Sequence, residues 1–369
     1  MNTSKISTAE AFGLILSIFV SHTLVSLPEN LIDLTQSSTI INILFLSFLV
    51  VLLLLGLIKL FKAFPGNDIL DIAEFLGGEI FKKIIGLIFI FYFVFSCSIL
   101  LRNFCECIKV VYFPMTSITF LILSFIIAVV LISKFKLKTS AKINLLILPF
   151  TFFSVLFIFF ANLNHFSLQN IYPILGKGFF NTFIIGLNNL CAFGGISLIY
   201  FLPPHLKEPE KFKKIILSSI FTAIVYLLLC ISIILFMFVF LLQVDEIMPL
   251  YSATRYIEFG SFFQRLESIF LLIWIIQIAC YLSISTIISS LIFQKIANLE
   301  DRKPIVIPFV ILIFGIALLS PNYSVSKFLE QNIYSYLVIC IVFILSISIL
   351  TLGYLKKKKS RRLNNENLT

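Results

Sequence analysis

Ten apolar stretches, each long enough to cross a lipid bilayer, leave this chain one class of fold. They cover about 10–33, 39–61, 84–110, 117–133, 143–161, 179–203, 215–242, 262–293, 304–320 and 334–355. A crossing needs about 17–25 predominantly apolar residues. In lipid every backbone N–H and C=O must be paired internally, so stretches of this kind cross as helices. Hydrophobic residues make up 60% of the chain and charged residues 12%, against roughly 45–50% and about 25% in soluble domains. Forty-three Phe suit a lipid-facing surface. The first stretch carries Glu10 at its start, Pro28 within it and no separate cleavage site, which predicts a retained helix and not a signal peptide. The expectation is an all-α integral membrane protein with one ten-helix domain over 1–355 and a basic tail over 356–369.

Charge sets the expected orientation. With the N-terminus in the cytoplasm, twenty-two of the 28 Lys and Arg fall on the inner side, including Lys82, Lys83, Lys134, Lys295 and the run Lys356 to Arg362. Arg102, Lys109, Lys177, Arg255, Arg265 and Lys327 fall toward the other side or within helices. This asymmetry predicts an even number of spans with both termini cytoplasmic. The net charge of +10 then needs no nucleic acid; the basic tail suits anionic lipid headgroups.

Two of the stretches are interrupted at matching places. The first contains Ser21-His22-Thr23 followed by Leu27-Pro28, and the sixth contains Phe193-Gly194-Gly195-Ile196-Ser197 followed by Leu202-Pro203. A shift of about 175 residues lays Leu27-Pro28 on Leu202-Pro203. Paired interrupted segments in two halves point to a solute site near mid-membrane. Repeat one (about 10–161) and repeat two (about 179–355) each hold five spans, an odd number, so the second half inserts with opposite orientation. The reading is a 5+5 inverted repeat with discontinuous helices 1 and 6.

Between spans two and three, Ile69, Ile72, Ala73, Leu76 and Ile80 recur at helical spacing with Asp68, Asp71 and Glu74 opposite them. This predicts an amphipathic helix at the cytoplasmic surface. Seven cysteines lie in or near apolar stretches, without zinc-ligand spacing, and read as small buried apolar residues.

The candidate ligand site follows from the interruptions. Amides released near Gly195, Ile196 and Ser197 begin a half-helix and offer partial positive charge to a carboxylate. Ser21, His22 and Thr23 supply hydroxyls and an imidazole at the equivalent depth, and Phe193 and Gly194 complete the set. Close helix packing is the competing explanation for Gly194-Gly195. Arg102 and Glu106 stand four apart and share a helix face, where they can pair; with Glu267 they are candidates for gating or bundle polarity. Ser285 and Thr286 in the serine-rich eighth span could contribute to an oxygen-lined ion site. No metal cluster, cofactor motif or catalytic constellation is present in the sequence, so a non-enzymatic role is expected.

Several motifs in order resemble the spore germination B-subunit permeases, a branch of the amino acid/polyamine/organocation superfamily. They are Leu27-Pro28, Phe64-Pro65-Gly66 with Gly77, Tyr172-Pro173-Ile174-Leu175-Gly176-Lys177-Gly178, and Arg265-Leu266-Glu267-Ser268 leading to Trp274. The family usually has a glycine in the first break, where this chain has Ser21-His22-Thr23. The resemblance implies the nutrient-sensing membrane subunit of a spore germinant receptor, binding a small amino-acid-like germinant. It also implies a larger membrane A subunit and a lipoprotein C subunit as partners in the inner membrane of the spore. The alternatives are a secondary amino acid transporter coupled to Na⁺ or H⁺, and a structural membrane subunit with no ligand.

Overall fold

The computed structural model describes residues 5–238, 248–257 and 267–366, the last six of these by backbone alone. Among the described residues helices predominate, joined by short loops. Helix α1 (Thr8–Leu24) opens on a capping box, in which Ser7 Oγ accepts from the Glu10 amide and the Glu10 carboxylate accepts from the Ser7 amide. It is followed by α2 (Leu27–Thr35), α3 (Thr39–Phe61), α4 (Ile69–Tyr112), α5 (Ile118–Ser133) and α6 (Leu137–Ala161). Helix α7 (Phe179–Phe183) continues in tight 3-10 turns over Ile185–Phe201, and α8 (Phe212–Met237), α9 (Pro249–Arg255), α10 (Glu267–Ile296) and α11 (Lys303–Leu319) succeed it. The last rod strings α12 (Tyr323–Phe328), α13 (Ser335–Leu337) and α14 (Ser346–Glu366) together through wide π turns at Leu329–Tyr334 and Val338–Leu345.

Seven helical stretches among the described residues are long and apolar enough to cross a membrane: Leu27–Phe61, Ile69–Tyr112, Leu137–Ala161, Phe179–Phe201, Pro209–Met237, Glu267–Ile296 and Tyr323–Ser360. Thr8–Leu24, Ile118–Ser133 and Lys303–Leu319 are apolar but shorter. Side-chain distribution agrees with a lipid solvent. Phe48, Phe120, Phe150 and Phe153 point outward, the last 64% exposed, whereas Asn42, Asn103, Asn189 and Gln277 are fully enclosed. Polar groups in a bilayer face the bundle interior. This is an integral membrane protein.

Two boundaries differ from the sequence reading. The amphipathic stretch is a helix of its own, as expected, but a shorter one: the non-helical backbone at Gly78 (φ 75°, ψ −168°) ends it and turns the chain into the third segment. Ile69, Ile72 and Ala73 are buried as expected, but Ile80 lies beyond the bend and is 75% exposed. Helical periodicity does not carry across a residue with that backbone. The tenth segment begins at Tyr323 and not at 334, because Asn322 caps it by accepting from the Val325 amide. Arg265, expected near Glu267, lies outside the described residues.

Helix α1 is gripped by α6, α8, α10 and the Ile185–Phe201 stretch, while α4 packs against α10, α11 and α14. These elements surround the centre of the bundle. At the end where α1 begins, Ile6 pairs with the backbone beyond the sixth segment: its amide donates to His205 O (2.8 Å) and its carbonyl accepts from the Lys207 amide (2.9 Å). A cavity of about 460 Å³ opens beside this pairing, lined by Asp68, Lys82, Phe201, His205, Gln294 and Lys295. Lys295 bridges Asp68 (2.7 Å) and Asp71 (2.6 Å). Phe201 closes the cavity's inner wall, packed on Phe89 and Phe93 with ring centroids 4.9 and 6.0 Å away.

Burial holds the His205 imidazole down to about 4 from its ordinary 6.5, and Lys295 adds to the effect. The folded chain therefore binds fewer protons here than the unfolded chain between those values. Stability present above pH 6.5 is lost as pH falls through the window toward 4, by about 3 kcal/mol. His205→Asn is expected to flatten this part of the pH profile of thermal unfolding. An unchanged slope in that window would assign the loss to other groups.

Candidate ligand site at the two helix breaks

The first break lies between Leu24 and Leu27, three residues beyond the polar triplet. Proline explains its place: Pro28 has no N–H and its ring excludes the carbonyl of residue 24, so α1 cannot continue through it. Val25 leaves helical geometry (φ −97°, ψ −93°), and Pro28 then sits in the first turn of α2. In the sixth segment the backbone departs from helix at Phe193 (φ −99°, ψ 18°), immediately before Gly194-Gly195.

Both glycines are sites of close approach. A Cβ on Gly194 would lie 2.6 Å from the Tyr334 hydroxyl and 2.9 Å from that of Tyr92; one on Gly195 would lie 2.7 Å from the Phe19 ring. The Gly194 carbonyl accepts from Tyr92 OH at 3.1 Å. Phe193 meets Phe19 edge to face, with centroids 6.5 Å apart. The second break is thus pressed against α1 on one side and a tyrosine pair on the other.

His22 occupies the middle of this region. Its Nε2 lies 3.2 Å from Ser96 Oγ and 3.0 Å from Tyr281 OH, which are themselves 2.8 Å apart. Its ring stacks on Tyr334 (5.1 Å, 7°), and Tyr334 stacks in turn on Tyr92 (6.2 Å, 17°). His22 Nδ1 is buried without a hydrogen-bond partner, while Ser197 lies against Tyr92 and Ser285 against Tyr281 and Cys97. Such an orphaned atom is costly in a packed interior and marks a place where a polar ligand gains a hydrogen bond. The centre therefore combines a ring stack, a three-way hydroxyl–imidazole network and an unused imidazole nitrogen.

The remaining candidates divide. Ser21 donates to Ser17 O and receives from Gln277 on α10 (3.3 Å), while the Thr23 hydroxyl is turned back onto Phe19 O. Ile196 is buried in the core. Arg102 and Glu106 form the pair their spacing implies, 2.5 Å apart and largely enclosed. Glu267 begins α10. Ser285 and Thr286 share no partner, since the Thr286 hydroxyl donates to Leu282 O within its own helix.

A second polar cluster was not visible in the sequence. The Glu330 carboxylate, in the first π turn, accepts at Oε2 from Ser26 Oγ, from Asn30 Nδ2 (3.1 Å) and from Asn103 Nδ2 (2.7 Å). Ser26 is the residue at the break, so the tenth segment is bonded to the first where the first is interrupted. Beside it Lys327 bridges Glu29 (2.5 Å) and Asp33 (3.0 Å), and Gln331 donates to Asn30 and Asp33. Tyr92, Ser96, Tyr281 and Tyr334 also escaped the sequence reading. The Ser96-Cys97-Ser98 triplet within an apolar span is the one local sign of them.

The spore germination protein family matches residues 5–326 of the chain, ending just before Glu330 and Tyr334. Two proteins of Bacillus subtilis (strain 168) are similar to it. Spore germination protein A2 is 29% identical over 212 residues, 54% of this chain and 55% of that protein. The chain thus spans about half the length of that relative. Spore germination protein YndE is 23% identical over 317 residues, 84% of this chain and 85% of that protein. With a match running through nearly all of its helices, the chain belongs to the family of spore germination proteins.

Proposed function

We propose that the protein is the nutrient-sensing membrane subunit of a spore germinant receptor, with a small amino-acid-like germinant bound at the two helix breaks. The observation that carries this reading is the centre itself: the His22–Ser96–Tyr281 network and the Tyr334–Tyr92 stack meet the Gly194-Gly195 break, and His22 Nδ1 is left without a partner. The germinant's carboxylate meets amides freed at the breaks, and His22, Ser197 and Gly194 contact the rest of it. In this reading the chain crosses the membrane ten times as a 5+5 inverted repeat, with both termini cytoplasmic. Binding separates the Tyr334–Tyr92 pair from Gly194 and shifts the bundle between two arrangements. A ligand moves such an equilibrium only by its differential affinity for the two states. The larger membrane A subunit and the lipoprotein C subunit read the difference, in the inner membrane of the spore.

The test is germination of spores lacking this gene, scored against single nutrients. Loss of the response to one nutrient, restored by the intact gene, is the expected result. An unchanged response to every nutrient in a strain without related genes would overturn the reading.

One observation favours a second reading, a secondary transporter coupled to Na⁺ or H⁺. Phe201 lines the cavity at the Lys82–Lys295 end and packs on the Phe89 and Phe93 rings behind it, an arrangement suited to a gated exit. Uptake of an amino acid into reconstituted vesicles under an ion gradient would establish it, and uptake no greater than in empty vesicles would dismiss it.

A further inference from the structure

Glu330 is a carboxyl group set within a membrane segment and 3% exposed. A charge at such depth is expensive and ordinarily functional. Its three donors, Ser26, Asn30 and Asn103, are neutral, and all converge on one oxygen. The nearest cation on its own helix, Lys327, is committed to Glu29 and Asp33. The cluster is also one donor short: Asn103 Oδ1, on the amide whose nitrogen serves Glu330, is fully buried and has no partner.

We propose that Glu330 is a proton-binding site whose occupancy decides whether the tenth segment stays bonded to the break in the first. Adding one proton to the carboxylate creates the missing donor. The Asn103 amide then turns over, its oxygen accepting from the new acid O–H where its nitrogen had donated to the carboxylate. Hydrogen bonds to a charged acceptor are roughly twice as strong as neutral ones. Protonation therefore loosens Ser26 and Asn30 from Glu330 and frees the start of α2. The proton comes from water and returns to it, on the side where Asp33 is 37% exposed, and no other reactant is consumed.

The titratable and charged neighbours are otherwise engaged or neutral. Helix α2 presents Glu29 and Asp33, both held by Lys327. Helix α4 presents Arg102 and Glu106, paired with each other, and the thiols of Cys105 and Cys107. The Ile185–Phe201 stretch presents the Cys191 thiol, and the tenth segment presents Lys327 and the phenols of Tyr323 and Tyr334. An alkali cation fits less well, because the groups facing Glu330 Oε2 present N–H and O–H donors in place of a shell of oxygens. The π turn that carries Glu330 is a common device at functional sites, and Ser335 Oγ bonds the Glu330 carbonyl within it (3.3 Å).

The proposal is independent of any germinant, and so is its test. Infrared difference spectra of the full chain in lipid nanodiscs are recorded as the buffer is stepped from mildly alkaline to mildly acidic. A carboxylic-acid carbonyl band is expected to grow in as a one-proton titration, to vanish in Glu330→Gln and to persist in Glu29→Gln. Ser26→Ala, which removes one donor, is expected to move the midpoint. A band that survives in Glu330→Gln, or no band in the unmodified chain, overturns the proposal. So does a band governed by Na⁺ or K⁺ at fixed pH, which would make this a metal-cation site. Should Glu330→Gln fail to accumulate, an unmoved midpoint in Ser26→Ala is equally fatal.

Discussion

Spores carrying Gly195→Leu are expected to hold the protein in their membrane at normal abundance and to lose the response that the intact gene restores. The new Cβ would lie 2.7 Å from the Phe19 ring, and Phe19 itself is buried among core side chains. Something must move. Overpacking of this kind costs about 1–3 kcal/mol, and the outlet is the break, where the backbone at Phe193 already departs from helical geometry. The displaced half-helix no longer presents its amides and Ser197 to the centre. A loss of about 1.4 kcal/mol in ligand affinity is a tenfold change in the concentration required, so the response should shift by at least about that factor or disappear. Immunoblots of spore membranes and germination kinetics at graded nutrient concentrations separate the outcomes. A full response at normal abundance would move the ligand elsewhere; disappearance of the protein would make Gly195 a packing residue alone.

Arg102→Met is expected to destabilise the chain by about 3–5 kcal/mol, because it leaves the Glu106 carboxylate behind without its partner in a largely enclosed place. The pair is 2.5 Å apart, with Arg102 3% and Glu106 12% exposed. Replacing both residues, as Arg102→Met with Glu106→Gln, is expected to recover most of the loss. Removing a whole buried pair is often close to neutral, whereas removing half of one is not. Thermal unfolding in detergent at several salt concentrations tests this. If the single and double variants melt together, the pair contributes no net stabilisation and Glu106 is solvated on its own.

Apolar runs were legible because lipid imposes one rule on every residue of a span; Thr39–Phe61 falls where its sequence places it. The Arg102–Glu106 pair was legible because four residues along one helix is a local distance. The aromatic and hydroxyl partners of His22 were not, since Ser96, Tyr281 and Tyr334 come from three other segments and no local spacing links them. Glu330 escaped for a different reason. The apolar run proper starts near 334, but a cap at Asn322 and a π turn extend the helix backward and draw a carboxylate into the bundle. Gly78 shows the converse, a single backbone torsion that ends an otherwise correct periodicity. The interruption at Leu27-Pro28 was legible in kind, although the helix stops just after the polar triplet and not within it.

The pairing of Ile6 with the chain at His205 and Lys207 joins the near ends of two interrupted segments through two backbone hydrogen bonds, and Thr8 Oγ1 adds a third contact to Glu208 at 3.2 Å. Backbone pairs of this sort are insensitive to side-chain identity and resist stretching along their own axis. The two half-helices are therefore yoked as a single lever: tilting α1 must carry the Phe201 end of the sixth segment with it. The ring contacts of Phe201 with Phe89 and Phe93 would then open or close in step with the break at Ser26, and the Phe19–Phe193 contact at the centre ties the same two segments a second time. A displacement that begins at one break would thus reach the far face of the bundle as a movement of both.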